Sequence, residues 1–336
     1  MSEQKGQQVA DTKLKGRKAL VTGAGGFIGN AVCRRLAADG AKVTGLDANE
    51  DAAGRIGAAG AEPLACDITH RAATVEALAG AELVVHTAAI VGDSGSMADH
   101  VRVNVGGTAN VLDAAAATGA GRVVHLSSVV VYGYDDPSHQ DESAHRRSVG
   151  IPYIDTKSAA DRLACRRGAV VIRPGDVYGP ASVPWALRPL QLAQAGRLVV
   201  PGKGDGIMLA VYVDDLVEGI ICGLRRGQPG EAYAVWKDDE QVSFEQFFGR
   251  FAEMAGTRKP LRLPRPLLRA AGRLTVGVAQ LRGRPPDFTH HAVTLIDRRG
   301  TVSATKARKQ LGWTPTVGFD DGMRRTEAWF REEGLL

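Results

Sequence analysis

No apolar run in this 336-residue chain approaches the roughly 20 residues needed to cross a bilayer, so no transmembrane helix is expected. Met1 to Lys15 is polar and lacks the apolar core of a secretory signal, which predicts a loose tail on a cytoplasmic protein. Cysteines are few: Cys33, Cys66, Cys165 and Cys222, none in CxxC spacing. That excludes a disulfide framework and leaves reduced, mostly buried small hydrophobes. His86, His100, His125, His290 and His291 lack metal-ligand spacing, and no metal is expected. Acids are nearly missing from one segment, where Asp287 and Asp297 are the only two between Arg258 and Lys309. Zinc-finger spacing, RNA-binding aromatic motifs and a homeodomain-like helix are all absent too. The formal charge of +5 therefore reads as a basic lobe on a metabolic enzyme, with no nucleic-acid partner.

What remains is ordinary globular composition, 44% hydrophobic and 24% charged, enough for one large α/β unit or two lobes. "KALVTG" reads as a buried strand and "FIGNAVCRRLAADG" as a helix with Ile28, Val32 and Leu36 on one face, stopped at Gly40. "AKVTGLD", "AEPLACDIT", "AELVVHTAA", "GRVVHLSS" and "GAVVIRPG" follow as short apolar strands, with helical stretches between them. This alternation predicts a doubly wound parallel Rossmann sheet over residues 16–179. After Gly179 the pattern breaks up. A smaller, mainly helical substrate lobe is expected over 180–209 and 237–336, with "YVDDLVEGIICGL" and "EAYAVW", about residues 210–236, returning to the sheet.

Within "VTGAGGFIGNAVCRRLAADGAKVTGLD", glycines at 23, 26 and 29 interrupt the turn from first strand to first helix. A bare backbone there suits a pyrophosphate meeting helix-terminal N–H groups. Gly23 would allow the tight turn, Gly26 the phosphate approach, and Gly29 close packing of helix on strand. Asp47 ends the second strand, where a carboxylate can accept from both adenosine ribose hydroxyls and repel a 2′-phosphate. The expected cofactor is NAD.

"PYIDTK" sets Tyr153 and Lys157 four residues apart on one helical face. An ammonium beside a phenol, with a positive nicotinamide ring, is expected to lower the phenol's ordinary pKa of about 10. Tyr153 could then take a proton from a substrate hydroxyl as hydride leaves its carbon. The serines of "HLSSVVVYG" supply a second partner for that hydroxyl.

With "TGAGGFIG", "CDIT", "VVHTAA", "VNVGGT", "SSVVVYG", "YIDTK", "RPGDVYGP", "YVDDLV" and "KARKQLGWTP", the chain resembles the extended short-chain dehydrogenases/reductases, the NAD-dependent epimerase/dehydratase superfamily. The resemblance implies Ser128, Tyr153 and Lys157 as the catalytic group, with Ser127 a structural neighbour and Tyr132 in the site wall. It implies cofactor contacts from Gly23, Gly26, Phe27, Ile28 and Gly29, with Asp67 and Ile68 flanking the adenine. Ala88 and Ala89 should run beneath the cofactor, Asn104 should bind near its nicotinamide half, and Pro174 and Gly175 should border the ring. It also implies a homodimer through the helices bearing Asn104 and Tyr153.

Nucleotide-sugar members often carry an Asn after R-x-x and an Arg five residues before V-x-D, both gripping a diphosphate. Here Asp176 and Met208 stand at those positions, which are poor diphosphate ligands, although Arg188 or Arg197 could substitute. Val130, Trp185 and Met208, with Val129, Val183, Pro184, Leu187 and Leu209, could instead line a cavity for an apolar alcohol. The chain is most similar to the 3β-hydroxysteroid dehydrogenase-like group, which implies a small-molecule substrate of steroid-like character. The rivals are a nucleotide-sugar epimerase or dehydratase and a non-catalytic NAD-binding scaffold. "LPRPLLRAAGRLTVGVAQLRGRPP" reads as a solvated lid helix or, alternatively, a membrane-surface contact.

Overall fold

The structure is a computed structural model and describes residues 13–92, 95–134, 138–281 and 288–336. Seven strands form the central sheet: β1 Lys18–Thr22, β2 Lys42–Asp47, β3 Glu62–Ala65, β4 Leu83–His86, β5 Arg122–Leu126, β6 Val170–Pro174 and β7 Ala232–Val235. Their order is β7-β6-β5-β4-β1-β2-β3 and every pairing is parallel. β4 (LVVH), β6 (VVIRP) and β7 (AYAV) are buried along their whole length, as mainly apolar strands are when helices cover both faces.

One face carries α1, Phe27–Ala38, and the other carries α2, Arg71–Ala77, α3, Thr108–Thr118, and α4, Pro152–Arg166. α5, Val213–Arg226, returns to pack on α1, β5 and β6. α1 buries Val32, Cys33 and Leu36 and ends where Gly40 takes φ +81°. There Gly40 N–H donates to Ala37 O and Ala41 N–H to Leu36 O, closing the last turn. The strand order reverses between β1 and β4, so a crevice opens at the carboxyl ends of these strands.

Toward the C-terminus follow α6, Phe244–Met254, α7, Arg265–Leu281, α8, His290–Ile296, and α9, Phe319–Glu332. Beside these helices run two-stranded pairings the sequence did not announce, such as Asp176–Tyr178 with Ala210–Tyr212. The main apolar core runs without a break from Val21 and Val32 under the sheet to Phe247, Trp313 and Phe330. The two ends of the chain's motif set meet on Asp215. Its carboxylate accepts from Thr316 N at 2.8 Å and Val317 N at 3.0 Å, and its carbonyl accepts from Trp313 Nε1 at 2.8 Å. Asp215 thus ties "YVDDLV" to "LGWTP" and the residues just after it.

The expected tail, residues 1–15, falls outside the described residues up to position 12. Leu14, however, is buried against the core and Gly16 N–H donates to Gly40 O, so ordered packing begins before residue 16. Among the described residues no helix is long and apolar enough to cross a membrane.

Candidate active site

β1 hands directly to α1 through the glycine turn, and each glycine does a different job. Gly23 sits at φ +69°, and a Cβ there would come 2.8 Å from the Ala88 backbone. A Cβ on Gly29 would lie 2.1 Å from Gly23 O, which only glycine avoids. Gly26 caps α1 with extended backbone, and an added Cβ would meet nothing nearer than Gly23 O at 3.3 Å. The space above Gly26 is thus open, and no acid lies in α1's first turn to compete with an anion. Phe27 and Ile28 are half-buried and packed on the core, so they offer backbone N–H groups more than side chains. These residues fit a dinucleotide pyrophosphate.

A fourth glycine was missed. Gly25 N–H donates to Asp47 Oδ2 at 2.9 Å, and a Cβ there would strike Ala52 at 2.3 Å. Asp47 Oδ1 also accepts from Asn49 N at 3.0 Å, so the carboxylate is fixed beside the cradle. The "GAGG" run was the available signal. Replacing Asp47 by Ala should raise KM for NAD about tenfold or more and narrow its advantage over NADP, since bonds to a charged acceptor contribute about 1.5–3 kcal/mol. Parallel kinetics with both cofactors check this; an unchanged NAD:NADP ratio would remove Asp47 from the ribose site.

Asp67 Oδ1 accepts from Thr69 N at 2.8 Å at the end of β3. The Ile68 side chain turns inward, 4% exposed, beneath Gly107, where a Cβ would press to 2.5 Å. Ala88 and Ala89 follow β4, and Ala88 N–H donates to Thr22 Oγ1 at 3.3 Å beside the Gly23 turn. Asn104 differs from its expected role as a ligand. Its Oδ1 accepts from Ile90 N at 2.7 Å, and its Nδ2 donates to Ile90 O and Thr156 Oγ1, both at 3.1 Å. With both amide hydrogens engaged, Asn104 braces the β4 loop against α4. Pro174 ends β6, and Gly175 packs where a Cβ would meet Leu209 O at 2.0 Å.

Ser128, Tyr153 and Lys157 do converge. Ser128 ends the β5 extension and caps a short helical turn, accepting from Val130 N at 3.3 Å. Tyr153 follows Pro152 in the first turn of α4, half-buried as a residue, and the Ser128 hydroxyl acts on its phenol. Lys157, one turn on, is buried and donates from Nζ to Leu126 O at 2.6 Å. Burial lowers the Lys157 pKa to about 8, against the upward pull of Asp161.

Electrostatics at Tyr153 run opposite to the expectation. Burial pushes its pKa up to about 12; Ser128 pulls it down and the nearby Asp176 carboxylate pushes it further up. The protein by itself therefore holds the phenol protonated, because the Lys157 ammonium faces the Leu126 carbonyl and desolvation dominates.

Behind this trio lies a buried ionic network that sequence reasoning missed. Asp161, a turn past Lys157, accepts from Arg173 Nε and Nη2, each at 2.8 Å, and from Ser127 Oγ at 2.6 Å, and it pairs with Arg146. Arg173 Nη1 donates to Tyr132 OH at 2.5 Å, so Tyr132 belongs to this network and not to an open site wall. Burial opposes the Asp161 carboxylate, but Arg173, Ser127 and Arg146 outweigh it and hold its pKa at about 2. His86 spans Thr22 and Thr108 at 2.7 and 2.9 Å, and burial lowers its pKa to about 3. Among the described residues no cluster could hold a metal ion.

The expected substrate residues separate. Val130 is buried and packs with Ile151 and Ile154 beside Tyr153. Trp185 is half-buried and stacks on Phe244 at 5.8 Å. Met208 is fully buried in the main core, where its strand pairs with Val242, so it packs the interior and does not line a cavity. Asp176, in the expected amide position, is paired with buried Arg298 and accepts from Leu209 N at 2.9 Å.

Comparisons bear on this geometry. A sequence model described as the NAD dependent epimerase/dehydratase family matches residues 19–235. The chain is 28% identical over 319 residues to a 4-hydroxy-2-methyl-3-oxo-4-farnesyl-3,4-dihydroquinoline-1-oxide ketoreductase of Stigmatella aurantiaca, covering 91% of this chain and 94% of that one. It is 31% identical over 342 residues to a dTDP-glucose 4,6-dehydratase of Streptomyces griseus, covering 93% and 94%. Among solved structures, a double mutant of a Streptomyces venezuelae dTDP-glucose 4,6-dehydratase with NAD bound superposes with a TM-score of 0.76 at 25% identity, covering 94% of this chain and 97% of that one.

Proposed function

The chain belongs to the NAD-dependent epimerase/dehydratase family, and from that premise we propose an NAD-dependent oxidoreductase that interconverts a secondary alcohol and a ketone on a steroid-like or other bulky apolar substrate. The observation that carries the chemistry is the convergence of Ser128, Tyr153 and Lys157 at the carboxyl end of β5, across from the Gly23–Gly29 turn. NAD, the family's cofactor, supplies the hydride acceptor.

Ser128 Oγ hydrogen-bonds the substrate oxygen and holds it beside the Tyr153 phenol. In oxidation Tyr153, ionised, takes the hydroxyl proton as hydride leaves the same carbon; in reduction the protonated phenol returns a proton to the oxygen. Lys157, held by Leu126 O, adds positive charge and a donor for the nicotinamide ribose. Gly26 and its neighbours bind the pyrophosphate through backbone N–H groups, and Asp47 the adenosine ribose.

The apolar choice rests on Asp176. Its buried carboxylate stands where nucleotide-sugar members carry an amide donor, and pairing with Arg298 leaves a diphosphate neither that donor nor a free guanidinium. Val130 beside Tyr153, and a relative named for its farnesylated ring ketone, favour the same choice. The nucleotide-sugar reading has its own support in the dTDP-glucose dehydratase relative.

Calorimetric titration separates the two. Wild-type protein should bind UDP- and TDP-sugars poorly, whereas Asp176→Asn, which leaves Arg298 without its anion, should bind them measurably better. Tight binding by the wild type would overturn the apolar reading.

The same residue sets a pH test. Tyr153 holds its proton at neutral pH, so ketone reduction should persist there while kcat/KM for alcohol oxidation climbs through the alkaline range. Removing the Asp176 charge lowers the phenol's pKa, so the oxidation limb of Asp176→Asn should move to lower pH. A limb that stays still would separate Asp176 from Tyr153.

A further inference from the structure

We propose that α7 is a docking face for an anionic lipid surface. A surface helix of a globular protein normally carries one apolar stripe, and α7 carries two. Leu268 and Gly272 face inward, and a Cβ on Gly272 would lie 2.5 Å from His290 N, so this side is packed against α8. On another side Leu267 is 55%, Leu274 69% and Val278 43% exposed, and Ala271 is exposed between them. At helical spacing these four fall within about 60° of arc, a continuous apolar strip turned to solvent.

Charge selects the occupant. Residues 265–281 contain no acid, and Arg269 and Arg273 are exposed. Among the described residues neither makes an ion pair. A second copy of this face would set apolar strip and basic helix against their like, whereas anionic headgroups would receive Arg273, about 100° round from Leu274, as the strip enters the acyl boundary, with Arg269 farther from the surface. The helix also begins near the candidate site: Arg265 Nε pairs with Asp297 Oδ2 at 2.6 Å, and the adjoining Arg298 pairs with Asp176, whose charge acts on Tyr153. Docking would bring the site to a bilayer that dissolves apolar alcohols. That purpose rests on the function proposed above; the binding itself does not.

Co-sedimentation with phosphatidylcholine vesicles, with and without phosphatidylglycerol, tests it on the full chain. Wild-type protein should pellet with the phosphatidylglycerol vesicles at low salt, remain in solution with phosphatidylcholine alone, and be released by high salt. Arg273→Gln should weaken partition about fivefold, and Arg269→Gln, on the side away from the strip, by less. The double variant Leu267→Glu, Leu274→Glu should lose it, with circular dichroism and NAD binding unchanged because both side chains are already solvent-exposed. Wild type that stays in solution with both vesicle types would overturn the proposal. So would double-variant protein that pellets normally, or variants whose sole effect is to dissolve a dimer on sizing columns. Vesicle binding by a protein inactive on apolar alcohols would leave the docking face standing and sink the substrate assignment.

Discussion

Replacing Tyr153 by Phe should lower turnover about 10²- to 10⁴-fold, the range over which a positioned proton donor or acceptor acts. The ring remains, so packing with Val130 and Ile154 is kept; only the hydroxyl on which Ser128 acts is removed. NAD affinity should change little, because the glycine turn and Asp47 lie on β1 and β2, across the crevice. Steady-state rates with fluorescence titration of NADH separate the two quantities. Substantial turnover in Tyr153→Phe would remove the phenol from the reaction.

Asp161→Ala should destabilise the fold by about 3–5 kcal/mol, since it strips the partner from an Arg173 that is 0% exposed. Urea unfolding reads the loss, and a double change of Asp161→Leu with Arg173→Met should recover a good part of it, because Arg146, which also loses its partner, is partly exposed and can turn to water. A loss of less than about 1 kcal/mol for Asp161→Ala would place this network at the margin of stability, the range of exposed pairs. The acid limb carries the same sign. With its carboxyl held at about 2 instead of the ordinary 3.8, Asp161 contributes stability that is complete above the higher value and is lost as pH falls through the lower. The variant should therefore show a flatter stability profile across that interval.

What could be read in advance follows from distance along the chain. Mainly apolar strands and the "TGAGGFIG" turn are local, and they carried the parallel sheet and the cradle because their physics is that of neighbouring residues. Tyr153 and Lys157 share a helical face for the same reason. Asp161 lies on that face too, but its meaning depends on Arg173, which a strand pairing brings in from beyond the helix. Met208 has the composition of a cavity wall and of a core equally; only its pairing with Val242 decides. Asn104 and Ile90 meet through a loop whose path no periodicity describes. The sign of the Tyr153 shift escaped because burial and the Asp176–Arg298 pair are tertiary facts, whereas YxxxK spacing speaks only of Lys157.

NADH formation at alkaline pH, with wild-type protein, NAD⁺ and a matched panel of sterols, smaller alicyclic alcohols and nucleotide sugars, bears most directly on the whole account. Absorbance should grow with the bulky apolar alcohols and stay flat with the sugars. Silence from every apolar alcohol, alongside turnover of a nucleotide sugar, would contradict it.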